Sequence, residues 1–120
     1  MKAADYLRRP VSEHRLQVLV LQHIDLHGNA YAFAVPNAAR RSPALAARMN
    51  AEGLRAGVAD LCVMMPGGRT GWLELKQARG RQSDAQRVFQ ALCERFGHAY
   101  ALARDLDEAI AVLKSWGALK

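Results

Sequence analysis

The sequence predicts an α/β protein built on a small mixed β-sheet flanked by helices. Apolar residues recur at helical spacing in stretches separated by short runs of strand length. Two of those runs are joined across Pro66-Gly67-Gly68, which is a hairpin signal. A third strand-like run follows a long amphipathic stretch, the pattern of a parallel crossover.

The elements follow in order. Residues 1–10 read as a flexible arm ending at Pro10, ahead of one domain over 11–120. Ser12 is a helix N-cap, and Leu16, Leu19, Val20 and Ile24 repeat at helical spacing up to Gly28. Ala30 to Val35 alternates small and large residues and reads as a strand stopped by Pro36-Asn37. Ser42-Pro43 opens a short helix that Gly53 closes. Residues 61–65 and 71–76 are the hairpin strands. Ser83 and Gln86 form a capping box for a second long helix, with Val88, Phe89, Leu92, Cys93 and Phe96 as its buried stripe. His98 to Ala103 alternates as a strand. Asp105 with Glu108 caps the last helix, whose apolar face is Ala109, Val112, Leu113 and Trp116.

The composition is that of a folded domain, with 51% hydrophobic and 23% charged residues. Lys and Arg number 17 against 11 Asp and Glu, for a net charge of +6. That balance favours a polyanionic partner, nucleic acid before an anionic membrane. Most of the basic residues are Arg, whose planar fork suits phosphate. Cys62 and Cys93 lie in apolar stretches without metal-ligand spacing and read as reduced core thiols of a cytoplasmic protein. The apolar runs are too short to span a bilayer, so neither membrane nor organic cofactor is expected. His14, His23, His27 and His98 are scattered.

The hairpin carries the chemistry. With a three-residue loop centred on Gly67, Cys62 faces Trp72 and Asp60 faces Glu74; Lys76 shares their side of the sheet, while Leu61, Val63, Leu73 and Leu75 point into the core. A two-residue Gly-Gly turn would instead put the two carboxylates on opposite faces. Like charges facing each other destabilise a sheet unless a cation lies between them. Carboxylate oxygens without His or Cys suit Mg²⁺ or Mn²⁺ rather than zinc. The alternative is a solvated strand face on which Lys76 simply pairs with a carboxylate.

The same residues carry a family resemblance. Gly53-Leu54-Arg55-Ala56-Gly57-Val58-Ala59-Asp60-Leu61, Trp72-Leu73-Glu74-Leu75-Lys76 and Gly80-Arg81-Gln82-Ser83-Asp84-Ala85-Gln86 resemble the virus-type replication-repair nuclease domain (VRR-NUC), a branch of the PD-(D/E)xK, or restriction-endonuclease-like, superfamily. Ala59 departs from the family's proline. The resemblance implies that Asp60, Glu74 and the Leu75 carbonyl bind metal and that Lys76 is the catalytic lysine. It further implies that Gln86 reaches the site and that Glu13 contributes to catalysis and metal binding. Gln86 has a rival role as the capping partner of Ser83, and Glu13 one in opposing the helix dipole. Asn37 resembles a family loop position but also suits a turn after proline.

Arg69, Arg79 and Arg81 flank the hairpin and the loop after it, and Arg55, Arg40 and Arg41 lie on neighbouring loops as further DNA contacts. The expected activity is that of a divalent-metal-dependent, structure-selective DNA endonuclease. The resemblance adds branched or junction DNA as substrate, a homodimer, and a phage or prophage origin in a bacterial host. The rival readings are a non-catalytic nucleic-acid-binding subunit on the same fold and a sequence-specific restriction-type nuclease.

Overall fold

In the computed structural model, which describes residues 12–36 and 42–120, the elements follow the expected order. The expected arm over 1–10 lies outside the described residues, as do Asn37, Arg40 and Arg41. Helix α1 (Glu13–His27) begins where the Ser12 hydroxyl accepts the Arg15 N–H at 3.1 Å. Strand β1 (Tyr31–Ala34) follows, then helix α2 (Pro43–Ala51), where the Ser42 hydroxyl accepts the Leu45 N–H at 3.2 Å. Strands β2 (Leu61–Met65) and β3 (Arg69–Leu75) flank a tight turn at Pro66–Gly68. Gly67 has φ +80°, a left-handed conformation that a Cβ would strain. Helix α3 (Asp84–Arg95), strand β4 (Ala99–Ala103) and helix α4 (Leu106–Ser115) complete the order.

The sheet order is β1-β2-β3-β4. The first three strands are antiparallel neighbours, and β4 lies parallel to β3. A parallel pair needs a long connection, and the segment through α3 supplies it. Met65 pairs with Arg69 and Cys62 with Trp72, so the turn has three residues and the two-residue alternative fails.

One sheet face is the core. Leu61, Val63 and Leu73 are fully buried and Leu75 nearly so, packed with Leu16, Val20 and Ile24 of α1 and with Ala109 and Leu113 of α4. Each large aliphatic side chain buried here contributes roughly 1.5–3 kcal/mol. These strand residues alternate with Cys62, Trp72 and Glu74, so the same register that fills the core turns Glu74 toward the opposite face.

The opposite face is covered differently from the expectation. Val88, Leu92 and Phe96 of α3 were assigned to a buried stripe, yet they are 59%, 42% and 66% exposed. Of the stripe, Cys93 is buried and Phe89 partly so. Phe89 meets Trp72 and Tyr100 edge-on, with ring centroids at 5.4 and 6.1 Å. The adjacent helix line, Val88-Leu92-Phe96, lines an open groove shared with Val58 and Trp72. One helix rests on this face along a narrow line, and among the described residues no second layer closes over the rest of its apolar arc. Tyr31, Phe33 and Met64 lie on the same side of the sheet by register and are also exposed.

Candidate active site

Asp60 directly precedes the first β2–β3 pair, Leu61 with Leu73, and so stands across from Glu74. Its Oδ2 accepts the Leu75 N–H at 2.7 Å, and its backbone carbonyl accepts the Val35 N–H at 2.8 Å. Asp60 is thereby tied to the strand on each side of its own. The loop leading to it is fixed by Gly57, which has φ +83° and lies against the Ala85–Gln86 backbone. A Cβ at Gly57 would come within 2.3 Å of the Ala85 carbonyl, so glycine lets this loop touch the first turn of α3. Ala59, where the family has proline, is completely buried.

Glu74 is 2% exposed and is the buried charged residue among those described. Its Oε1 accepts a hydrogen bond from Gln86 Nε2 at 3.2 Å and lies 4.0 Å from Lys76 Nζ. Its Oε2 is buried and, among the described residues, no hydrogen-bond donor reaches it. Burial first, then the facing Asp60 carboxylate, push the Glu74 carboxyl up to about 9; the Lys76 ammonium opposes the rise and the Glu13 charge adds to it. Without a cation the pair therefore holds a proton at neutral pH.

That proton stands where the pair's chemistry calls for positive charge. An unpartnered buried carboxylate oxygen facing a second carboxylate fits a hard divalent cation, Mg²⁺ or Mn²⁺. Asp60 and Glu74 are the residues that can hold it. Among the described residues, no group of three His, Cys, Asp or Glu side chains converges as a complete metal cluster. Glu13 is exposed in the first turn of α1 and affects Glu74 through its charge.

Gln86 makes both the capping contact and a contact with Glu74. Its Oε1 accepts the Ser83 N–H at 2.8 Å while its N–H donates to the Ser83 hydroxyl at 3.1 Å, completing the capping box. Its amide nitrogen remains for Glu74. One side chain thus couples the start of α3 to the buried carboxylate.

The arginines divide. Arg79 and Arg81 are exposed on the loop between β3 and α3, beyond Lys76. Arg69 sits at the turn end of the hairpin, five residues from Glu74, or roughly 17 Å at about 3.4 Å per residue. Its Nε donates to the Pro66 carbonyl at 3.2 Å, so the fold does not bring it to the carboxylates. Arg55 lines the apolar groove beside α3, and its guanidinium donates to the Asn50 carbonyl at 3.3 Å.

Two neighbours of the site were not singled out from the sequence. Tyr100 lies across from Trp72 on β4, and its hydroxyl accepts from Gln82 Nε2 at 2.9 Å. Gln82 Nε2 also donates to Gln90 Oε1 at 2.9 Å, joining β4, the loop and α3. Burial, with the charge of Glu74 adding to it, pushes the Tyr100 hydroxyl up to about 12, against the lowering effect of the Gln82 hydrogen bond. It stays protonated. The contact spans 18 residues and leaves no local pattern in the sequence.

The mixed sheet and crossover helix define an α/β core that presents two carboxylates from its hairpin. No family model and no curated protein sequence matches the chain. Solved structures do. One described as a "VRR_NUC domain" is 15% identical, with a TM-score of 0.65 over 87% of this chain and 96% of its own. Another, a "VRR_NUC domain protein", is 19% identical, with a TM-score of 0.68 over 88% of each chain. The protein has the VRR_NUC fold.

Proposed function

We propose that the protein is a divalent-metal-dependent deoxyribonuclease that hydrolyses phosphodiester bonds within branched or junction DNA. The observation that carries this reading is Glu74: a carboxyl buried to 2% exposure, one oxygen without a donor, facing Asp60 and flanked by Lys76 and Gln86. A binding module gains nothing from carboxylates placed where a phosphate backbone must approach. The VRR_NUC fold of the chain supports the same class.

Asp60 and Glu74 would hold the cation, with Leu75 contributing through its carbonyl and Glu13 from α1. A bound Mg²⁺ or Mn²⁺ supplies charge neutralisation at the phosphate and a water of lowered pKa. Asp60 keeps its aim through the Leu75 N–H, and Gln86 engages Glu74 Oε1, so the other Glu74 oxygen would be the one left for a cation. Lys76 sets a positive charge beside the carboxylates, where negative charge develops on the phosphate. Arg79 and Arg81, exposed beside this centre, grip the backbone, with Arg55 and Arg69 as further contacts and Arg40 and Arg41 proposed as contacts from the sequence alone.

A homodimer suits this reading, because paired centres cut paired strands. The exposed Tyr31, Phe33 and Met64 supply an apolar surface that a second copy can cover. The buried thiols Cys62 and Cys93 suit a reducing cytoplasm. Among the described residues no helix is long and apolar enough to cross a membrane.

The test is cleavage of four-way junction, flap, single-stranded and linear duplex DNA with Mg²⁺, Mn²⁺ or EDTA. Metal-dependent cutting of the branched substrates is expected, slowed on the order of 10²-fold but still measurable in Lys76→Ala. Cutting in EDTA, or full activity of Lys76→Ala, contradicts the mechanism. Cleavage of linear duplex at one sequence points to a restriction-type enzyme, and tight DNA binding without cutting points to a binding subunit.

A further inference from the structure

We propose that Arg104, just beyond the last strand, is a positioning residue that sets Lys76 through the turn over residues 77–80; this rests on the nuclease reading above. The Ala103 carbonyl at the end of β4 accepts the Lys76 N–H at 3.0 Å, carrying the parallel ladder one residue past β3. Arg104 then reaches back over the next residues. One of its guanidinium nitrogens donates to the carbonyl of Gln77 at 3.0 Å, to that of Ala78 at 3.5 Å, and to that of Gly80. The turn itself is closed by the Gly80 N–H on the Gln77 carbonyl at 2.9 Å. Carbonyls of a tight turn converge without ladder partners, and a cationic donor satisfies several at once.

The base of Arg104 is fixed as well. Its backbone N–H donates to Glu108 Oε2 at 2.9 Å, and the Glu108 N–H is capped by Asp105 Oδ1 at 2.8 Å. The guanidinium is therefore anchored to the start of α4, and the turn is anchored to the guanidinium.

Lys76 leans on that turn. A Cβ placed on Gly80 would lie 3.4 Å from Lys76 Cδ, so the lysine stem passes beside the glycine, close enough that a side chain there would touch it. At its far end the ammonium stands 4.0 Å from Glu74 Oε1, on a side chain only 14% exposed. A lysine stem has several rotatable bonds whose freedom is lost on being fixed. The turn is the wall that fixes it, and Arg104 holds the wall. Its guanidinium is occupied by backbone carbonyls, which distinguishes it from the exposed Arg79 and Arg81.

The test is a double-mutant cycle on junction cleavage, with wild type, Arg104→Met, Lys76→Ala and the double variant, each checked for its melting temperature. Arg104→Met is expected to lower kcat by about tenfold, the scale of a small misplacement of a reacting group, with KM and the salt dependence of binding unchanged. In the Lys76→Ala background the same change should have less than about a twofold effect, since interacting residues are not additive. Arg104→Lys, which keeps a donor and the charge, should fall between and serves if Arg104→Met does not fold. Additive effects, or a raised KM with a shallower salt dependence, would overturn the proposal and make Arg104 a phosphate contact. Side-chain NMR relaxation of Lys76 in the metal-free protein tests the same claim without turnover. Increased motion in Arg104→Met is expected, and unchanged motion refutes it. Absence of cleavage by wild type would overturn the nuclease reading alone, with the relaxation measurement still deciding whether Arg104 holds Lys76.

Discussion

Asp60 Oδ2 accepts the Leu75 N–H at 2.7 Å, so the carboxylate that faces Glu74 is held by the backbone of the very strand that presents Glu74. Two acidic side chains are thus kept opposite one another by structure that extends past the β2–β3 ladder. This arrangement is expensive for the protein without a cation and useful with one.

Asp60→Asn keeps an acceptor for the Leu75 N–H and removes the charge. Cleavage should fall on the order of 10²-fold or more, the scale seen when one electrostatic contributor to a transition state is removed. DNA affinity measured in EDTA should stay the same or rise, because a carboxylate repels phosphate when no metal is bound. Retained cleavage would remove Asp60 from the site.

The Glu74 carboxyl, raised from 4.5 to about 9, makes the metal-free protein pH-sensitive. Between those values the folded state keeps a proton that the unfolded chain has released, so stability from this group is present at low pH and declines as pH rises toward 9. Glu74→Gln removes the penalty. In urea melts with EDTA, the variant should gain on wild type by a few kcal/mol at pH 8, at about 1.4 kcal/mol per pKa unit, and by little near pH 5. A difference independent of pH would contradict the raised carboxyl.

Capping and site contact at Gln86 separate by substitution. Ser83→Ala should cost about 1 kcal/mol of stability as a lost cap while leaving the cleavage rate near wild type. Gln86→Glu keeps an acceptor for the Ser83 N–H but loses the amide donor to Glu74 and adds a like charge beside it. Its rate should fall about tenfold, within the range of losing a supporting contact to a metal ligand. The reverse pattern would leave Gln86 as a cap alone.

Arg79 and Arg81 should each account for about one unit in the slope of log affinity against log salt, measured on uncleaved junction DNA. Alanine at Arg69, held to its own turn at the other end of β3, should change the slope less. Equal effects at all three would mean that the DNA covers the whole hairpin.

Cys62 and Cys93 are buried, and burial raises both thiols above their usual range. A thiol reagent should modify them at the rate of unfolding and react at once in denaturant. Rapid labelling of the native protein would contradict their burial.

Much of this site was legible because turn chemistry sets register. Pro66-Gly67-Gly68 admits a three-residue turn, and from it follow the facing of Asp60 and Glu74 and the inward set of Leu61, Val63, Leu73 and Leu75. Ser12, Ser42 and Ser83 marked the helix starts because each hydroxyl satisfies a free N–H. The α3 stripe misled because periodicity gives the direction of an apolar arc and not how much of it a neighbour covers. Arg69 belonged to a cluster read from chain proximity, whereas the pairing of Met65 with Arg69 puts it at the turn end. The reach of Arg104 to Gln77 spans 27 residues, and the contact of Gly57 with Ala85 and Gln86 depends on how elements pack; neither leaves a local signature.

The central proposal is that Asp60 and Glu74 bind a divalent cation, with the buried Glu74 giving up its proton to do so. Calorimetric titration of Mn²⁺ at pH 7, in two buffers of different ionisation enthalpy, measures this directly. The account predicts release of about one proton per ion bound in wild type, since ligands must deprotonate to bind. It also predicts weakened binding in Glu74→Gln with the release gone. Binding that releases no proton, or that survives unchanged in Glu74→Gln, would contradict it.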